Sequence, residues 1–578
     1  MTPAPARPAA GRPRSSAGAA GPARRDRRRS VTRAVVVSLL LVGATGALAA
    51  AGDDLLPSAD LAVPAGVPVA IEARSAVAVC PGPVVLADPS STADAEFGST
   101  PEDTLTTLQA AAFGSETTSV LAPLGPEAAT ADQRTVQGSD PSAYAVADQG
   151  AGTEVLRSTT AAGDTSDAAA STSSVTASGD LRGLAAASCA APGVDQWLVG
   201  GGTELGSSTR LVLANPSRTP ATVTLSLWGP SGPVDPAGPT TYLVPPGEEV
   251  TTLVEGLAAQ QRGLVVRATS AGALVTATLQ HSVLEGLTPR GVDLVVSGEA
   301  PSTAQVVTGV TVEDSEIGDP DVASVRVLAP DAPGTATLTV LGEDGQRVLR
   351  GAQTTELTAG TVTDVSLSGL PAGSYSVVVQ ADVPVVAGAV TTSTGEADED
   401  EPLLGTPVDR TWVASHRTAS PTPSTAVLPD GTEGTVTLVA LPAELDGTTD
   451  LAGTVPIVYD ADSAEGAAAE DDGRAWEPAT LGTLEAYGTD GTLLGSSPVE
   501  LAPGQTASVP LATIADDEQV GAVRLVPAAG APSTVEWTLT ARADAVSGSI
   551  TTLQPTAPPA AQDALVVRRS QTVGLPTR

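Results

Sequence analysis

The stretch Ala221-Thr-Val-Thr-Leu-Ser-Leu-Trp-Gly-Pro-Ser-Gly232 decides the fold. Ala221, Val223, Leu225 and Leu227 alternate with Thr222, Thr224 and Ser226, the period of two that buries one face of a strand. Gly229 and Gly232 then punctuate a turn. These marks recur: Gly229 leads to Gly247 after 18 residues and to Val266 after 19 more, and Gly342, Gly360 and Val379 keep both intervals, displaced by 113. A third copy, Gly488, Gly504 and Leu525, keeps them loosely at 16 and 21. Repetition of this kind marks tandem units.

Further correspondences fill in the unit. Apolar pairs follow the second glycine mark at matched offsets: Val254 and Leu257, Leu367 and Leu370, Leu511 and Ile514. Opening strands are expected at Gln196–Val199, Gln305–Val307 and Thr411–Val413, and closing strands at Leu274–Ala277, Val385–Gly388 and Val535–Thr538. About seven strands in roughly 100 residues predict an immunoglobulin-like or fibronectin-like β-sandwich. The expected class is therefore all-β, with tandem sandwiches at 195–300, 301–408 and 409–550. The last carries an acidic insertion, 442–478, whose Gly466–Gly473 run of Ala, Glu and Asp buries no face and is expected to be mobile.

Composition suits such units. Of 578 residues, 41% are hydrophobic but only five are Trp, five Tyr and two Phe, so cores are built from Ala, Val and Leu. All 29 basic residues are Arg, which excludes a Walker lysine, a Schiff-base lysine and a Ser-Lys dyad. The formal charge of −37 belongs to the body, because residues 1–33 hold nine Arg against one Asp. An acidic body repels nucleic acid, so no nucleic-acid partner is expected.

At the N-terminus Arg24, Arg25, Arg27, Arg28, Arg29 and Arg33 precede an uncharged run, 34–51, which ends at Asp53 and Asp54. This order predicts an export signal with the tail 1–33 disordered on the cytoplasmic side. The run is just long enough to stay as a membrane anchor, and Ala47-Leu-Ala49 is also a cleavage pattern. The expectation is a membrane-anchored, extracytoplasmic protein, with secretion after cleavage as the alternative. Residues 551–578 are expected to form a C-terminal tail.

Residues 55–194 are expected to form one sandwich-like β domain, outside the threefold repeat, closed by a disulfide between Cys80 and Cys189, the only cysteines and both on the exported side. Strands are expected near 75–87, 119–124, 142–148 and 154–158. Leu105–Phe113 reads as a short helical turn, and Ala161–Gly179, rich in Ser, Thr, Ala and Asp, as a solvated loop or edge strand.

Chemistry-bearing patterns are sparse. Gly200, Gly201, Gly202 and Gly206 follow a strand but fail the dinucleotide spacing, because position 205 is Leu. His281 and His416 are the only imidazoles and no nucleophile elbow accompanies them. The runs Asp398–Glu401, Asp471–Asp472 and Asp516–Glu518 read as solvated charge; calcium is the alternative for them, although none has the spacing of an EF-hand loop. No catalytic, cofactor or metal residue is assigned.

Three segments, Arg210–Ser217, Gly179–Cys189 and Trp197–Gly201, resemble an uncharacterised actinobacterial family of secreted or membrane-anchored proteins known only as a domain of unknown function. The resemblance covers most of residues 60–550 and implies export and an envelope setting, with no active site to carry over. The expected function is a non-enzymatic structural, scaffolding or protein-interaction role in the cell envelope, with an unknown envelope protein or glycan as partner. The alternative is a carbohydrate-binding or adhesive module, which needs Trp228, Trp476 or Tyr487 on an exposed face.

Overall fold

A computed structural model describes residues 67–70, 75–86, 103–113, 118–125, 133–137, 142–148, 152–159, 167–314, 321–349, 353–397, 406–417, 422–458, 477–558 and 564–567. The expected tail 1–33, the signal or anchor run 34–51 and residues 559–563 and 568–578 of the expected C-terminal tail lie outside them, while Thr551–Leu553, expected in that tail, is a strand paired with Thr534–Ala543. The described residues are all-β, with single 3-10 turns and no helix long and apolar enough to cross a membrane. Ala70–Asp563 form one compact unit; Met1–Val69 with Ala564–Arg578 form another, in which strands Val67–Ala70 and Ala564–Val567 pair.

Within Ala70–Asp563 a single eight-strand pattern occurs four times. The second occurrence shows it most plainly. One sheet has the order Asp195–Val199, Val265–Ala271, Ala221–Gly229, Thr241–Val244; the facing sheet has Glu249–Leu253, Ser207–Ala214, Thr276–Glu285, Thr288–Val295. Numbered along the chain, these are strands 1-6-3-4 and 5-2-7-8. The third module repeats the order, its sixth and seventh strands fused into the 22-residue Gly373–Thr394, which passes from one sheet into the other. The fourth repeats it from Ser424–Val427 to Thr551–Leu553. So does the sandwich-like region expected to stand outside the repeat: Ser75–Cys80, Glu154–Thr159, Thr118–Pro123 and Arg134–Gln137 form one sheet, and Ser142–Asp148, Thr104–Phe113, Asp167–Thr176 and Gly183–Ser188 the other. The repeat is fourfold, and the N-terminal copy escaped notice because its glycine marks are missing.

Several sequence expectations are corrected. Leu105–Phe113 is no helical turn but part of the strand Thr104–Phe113. The Ser- and Thr-rich segment is no solvated loop or edge: Asp167–Thr176 is an interior strand between Thr104–Phe113 and Gly183–Ser188. Two of its buried hydroxyls find partners across the pair, Ser173 with Thr107 at 3.1 Å and Ser174 with Thr106 at 2.9 Å. Small side chains let both of its faces be covered. Thr411–Val413 does not open the last copy; it lies in Val408–Ala414, which pairs with Gly373–Thr394 and is the eighth strand of the third module. The expected closing strands are seventh strands, each followed by an eighth.

The repeat marks have physical roles. Gly247, Gly360 and Gly504 sit at φ +68°, +69° and +79° in the turn before each fifth strand, a conformation cheap only for glycine. Val254, Leu367 and Leu511 are buried plugs between fifth and sixth strands, Val254 and Leu511 in 3-10 turns. The insertion is partly docked. Leu445, Leu451 and Val455 are buried against Ala304, Val306 and Leu341 of the third module, and Ile457–Val458 pairs in parallel with Gln346–Arg347. Gly466–Gly473 lies outside the described residues.

The modules close into a ring. Separate apolar clusters join first to second (Val84 and Leu181 with Val292 and Leu294), second to third (Trp197 and Val265 with Leu328 and Val386), third to fourth, and fourth back to first (Val427 and Tyr487 with Ala111 and Phe113). At the centre lie the four eighth strands, each an edge of its own sheet.

Candidate functional site

An edge strand carries backbone N–H groups with no neighbour, and burying four such edges requires other acceptors. Two carboxylates supply them. Asp409, fully buried on Val408–Ala414, accepts from Leu184 N at 2.8 Å and Ile550 N at 3.1 Å on Oδ2, and from Val292 N at 3.3 Å and Arg410 N at 2.9 Å on Oδ1. Those four donors belong to the four modules. Asp293, on Thr288–Val295, accepts from Trp412 N at 2.7 Å and from the hydroxyls of Thr411 at 2.9 Å and Thr551 at 3.3 Å. Thr411 Oγ1 accepts in turn from Thr552 N at 3.0 Å.

The approach is close enough to dictate glycine. At Gly183 (φ +148°) a Cβ would lie 2.5 Å from Asp409 Oδ1, and at Gly291 (φ +102°) 2.6 Å from Arg410 N. Burial pushes the Asp409 carboxyl up to about 7 against the pull of its four N–H donors, and pushes Asp293 well above the usual carboxylate range.

A second polar knot surrounds this one. Arg326, buried, makes a bidentate pair with Asp364 at 2.8 and 2.9 Å, donates to Gly201 O at 2.8 Å and Leu264 O at 3.2 Å, and lies 4.9 Å over the Trp412 ring. The glycine run is thereby explained. A Cβ on Gly200 would meet Trp412 at 2.9 Å, so Gly200–Gly202 lets two modules touch rather than cradling a phosphate.

His281 is the imidazole that the structure brings to the centre. Its Nδ1 is 3.1 Å from Trp412 Nε1 and its Nε2 2.9 Å from Ser207 Oγ. An indole N–H only donates, so Nδ1 is the acceptor and Nε2 carries the proton. The ring therefore donates to Ser207 and cannot take its proton. Burial, then Arg410 and Arg326, hold this histidine well below its ordinary value and keep it neutral. His416 lies apart, its Nε2 enclosed without a hydrogen-bond partner among the described residues and its pKa lowered by burial to about 4.

The aromatic candidates are spread over different junctions. Trp228 is half-buried, stacked on Trp197 with centroids 5.2 Å apart, and approached by the Gly360 turn of the third module. Tyr487 is buried edge-on to Phe113 at 4.9 Å, with its hydroxyl on Glu485 at 2.8 Å. Trp476 lies outside the described residues, as do Asp398–Glu401 and Asp471–Asp472. Asp516, Asp517 and Glu518 form an exposed turn, and no group of three metal-ligating side chains occurs among the described residues.

Cys80 and Cys189 are joined in a disulfide. It sits beside a backbone closure used in every module, where the chain leaving the eighth strand bonds to the outer edge of the first: Val79 with Ala190, Trp197 with Gly298, His416 N to Val306 O, Thr425 with Thr556. Sequence reasoning missed Asp409 and Asp293. An acid on the alternate face of a strand reads as solvent-facing; the glycine two residues before Asp293 was the one available signal.

Among comparisons with known proteins, the profile of a family of unknown function (DUF5719) matches residues 145–470, from the first module into the fourth's insertion. No curated protein matches. A solved structure described as "Biofilm associated protein - BSP domain" aligns over 87% of this chain and 99% of its own at 9% identity, with a TM-score of 0.11, too low to carry an argument.

Proposed function

The chain belongs to the family of unknown function DUF5719, and we propose that it is a non-enzymatic, exported cell-envelope protein of actinobacterial type whose role is structural: a rigid scaffold of four immunoglobulin-like sandwiches that presents its outer surfaces to partner proteins. The observation that carries this reading is the use made of Asp409. Its carboxylate, with Asp293, His281 and Arg326, is committed to holding modules together, and the one Ser–His contact among the described residues has the tautomer that cannot activate serine. The acidic body and the Arg-rich N-terminus favour export with an N-terminal membrane anchor. The glycan-binding alternative is disfavoured, since Trp228 and Tyr487 are spent on module junctions.

Fractionation with N-terminal sequencing tests the location. The intact N-terminal region is expected in the membrane fraction; a form beginning near residue 50 in the medium shifts the reading to a secreted scaffold, and cytoplasmic recovery overturns it. Sedimentation with insoluble envelope glycans tests the alternative, where binding abolished by Trp228→Ala would replace the scaffold with an adhesive module.

A further inference from the structure

The junction of the first and second modules encloses a cation without a counter-ion. On Ser207–Ala214 the core takes Leu211 and Leu213, which leaves Arg210, Val212 and Ala214 on the face turned to the first module. With Thr278 of the neighbouring strand they floor a cavity of about 60 Å³, roofed by Val79, Gly82 and Thr153. Gln280 fixes roof to floor, accepting from Val85 N at 3.0 Å and donating to Val85 O at 2.6 Å. Arg210 Nε is buried in this junction and has no hydrogen-bond partner among the described residues, and burial lowers the pKa of its guanidinium. An enclosed N–H of a charged group costs free energy until an acceptor meets it.

Glu249 lines the same cavity, and its charge favours that of Arg210, yet the two form no ion pair. The sheet keeps them apart: Glu249 pairs with Ala214, four residues along the strand from Arg210, and its Oε2 accepts from Thr153 Oγ1 at 2.6 Å. We propose that this cavity binds a small α-amino acid, with the ligand carboxylate on Arg210 and its ammonium on Glu249. An anion alone meets the repulsion of Glu249 and a cation alone that of Arg210, whereas a zwitterion meets both charges with the favourable sign. The planar guanidinium suits a carboxylate, whose two oxygens accept its N–H groups. Volume sets the size: at about 10–15 Å³ for each water-sized group, about four to six non-hydrogen atoms fit, which is glycine or alanine. This site adds a ligand to the scaffold reading and does not depend on it.

Isothermal titration of the full oxidised chain with glycine and L-alanine tests the site, with acetate and ethylammonium as the two half-ligands. Saturable binding of glycine or alanine is expected, at least about tenfold tighter than that of either half-ligand, and weakened at least about tenfold by Arg210→Met and by Glu249→Gln. Glu249→Gln is also expected to strengthen acetate binding, a gain that a merely structural role would not produce. Urea titration checks that each variant is folded; should Arg210→Met fail to fold, Glu249→Gln, at an exposed position, decides alone. Acetate bound as tightly as alanine, amino-acid binding unchanged in the folded variants, or no saturable binding overturns the proposal and leaves the scaffold reading as it stands.

Discussion

Asp409 shows what one side chain does when four backbones converge on it. Asp409→Ala leaves buried N–H groups in three other segments without an acceptor, at about 1–3 kcal/mol each, so a loss of about 3–9 kcal/mol is expected by urea titration at neutral pH. Its pH signature has a definite sign. Folding raises the carboxyl from 3.8 to about 7, so the folded state binds the proton more tightly than the unfolded chain. This contribution is full below about pH 4 and is lost as pH rises through 7. The difference in melting temperature between the native chain and Asp409→Asn, followed from pH 4 to 8, should trace that loss; a constant difference would refute it. Gly291→Ala adds a Cβ where both φ and Arg410 N forbid it, and about 2–4 kcal/mol of destabilisation is expected by the same titration. Gly369, equally left-handed but with open space around it, should tolerate Asn at under about 1 kcal/mol.

Among the elements, the eighth strands carry the lesson. Alternation made strands legible through most of the chain, because one buried face leaves a period of two. It could not tell which sheet a strand joins. Val408–Ala414 reads equally well as an opening or a final strand, and only its pairing with Gly373–Thr394 decides. Asp167–Thr176 misled for the opposite reason: with both faces covered, a strand of Ala, Ser and Thr shows no alternation in hydrophobicity. The insertion behaves as an element in its own right where it docks. Leu451→Ala should cost about 2–4 kcal/mol in overall stability, since its side chain is buried against the neighbouring module. A neutral outcome would mean that this segment docks without contributing to the fold.

At the scale of the whole molecule the modules are not beads. Trp412 of the third lies in the core of the second, and Leu184 and Ala186 of the first in that of the fourth. Modules that lend residues to one another's cores should unfold together. Scanning calorimetry of the oxidised chain is expected to show one transition with equal calorimetric and van't Hoff enthalpies, and separate transitions for the modules would contradict the interlocking.

The sequence by itself determined the all-β class, the turn glycines, the repeat in three of its four copies and the identity of the cysteine partners, since each follows from short-range periodicity or from there being only two thiols. The tertiary structure alone decided that the first region is a fourth copy, that four sheet edges meet, and that Asp293 and Asp409 are buried where they do. The first depends on strand pairings spread over about eighty residues, and the others on contacts between segments more than a hundred residues apart. A strand's sequence records which of its faces is covered, but not what lies against its edge.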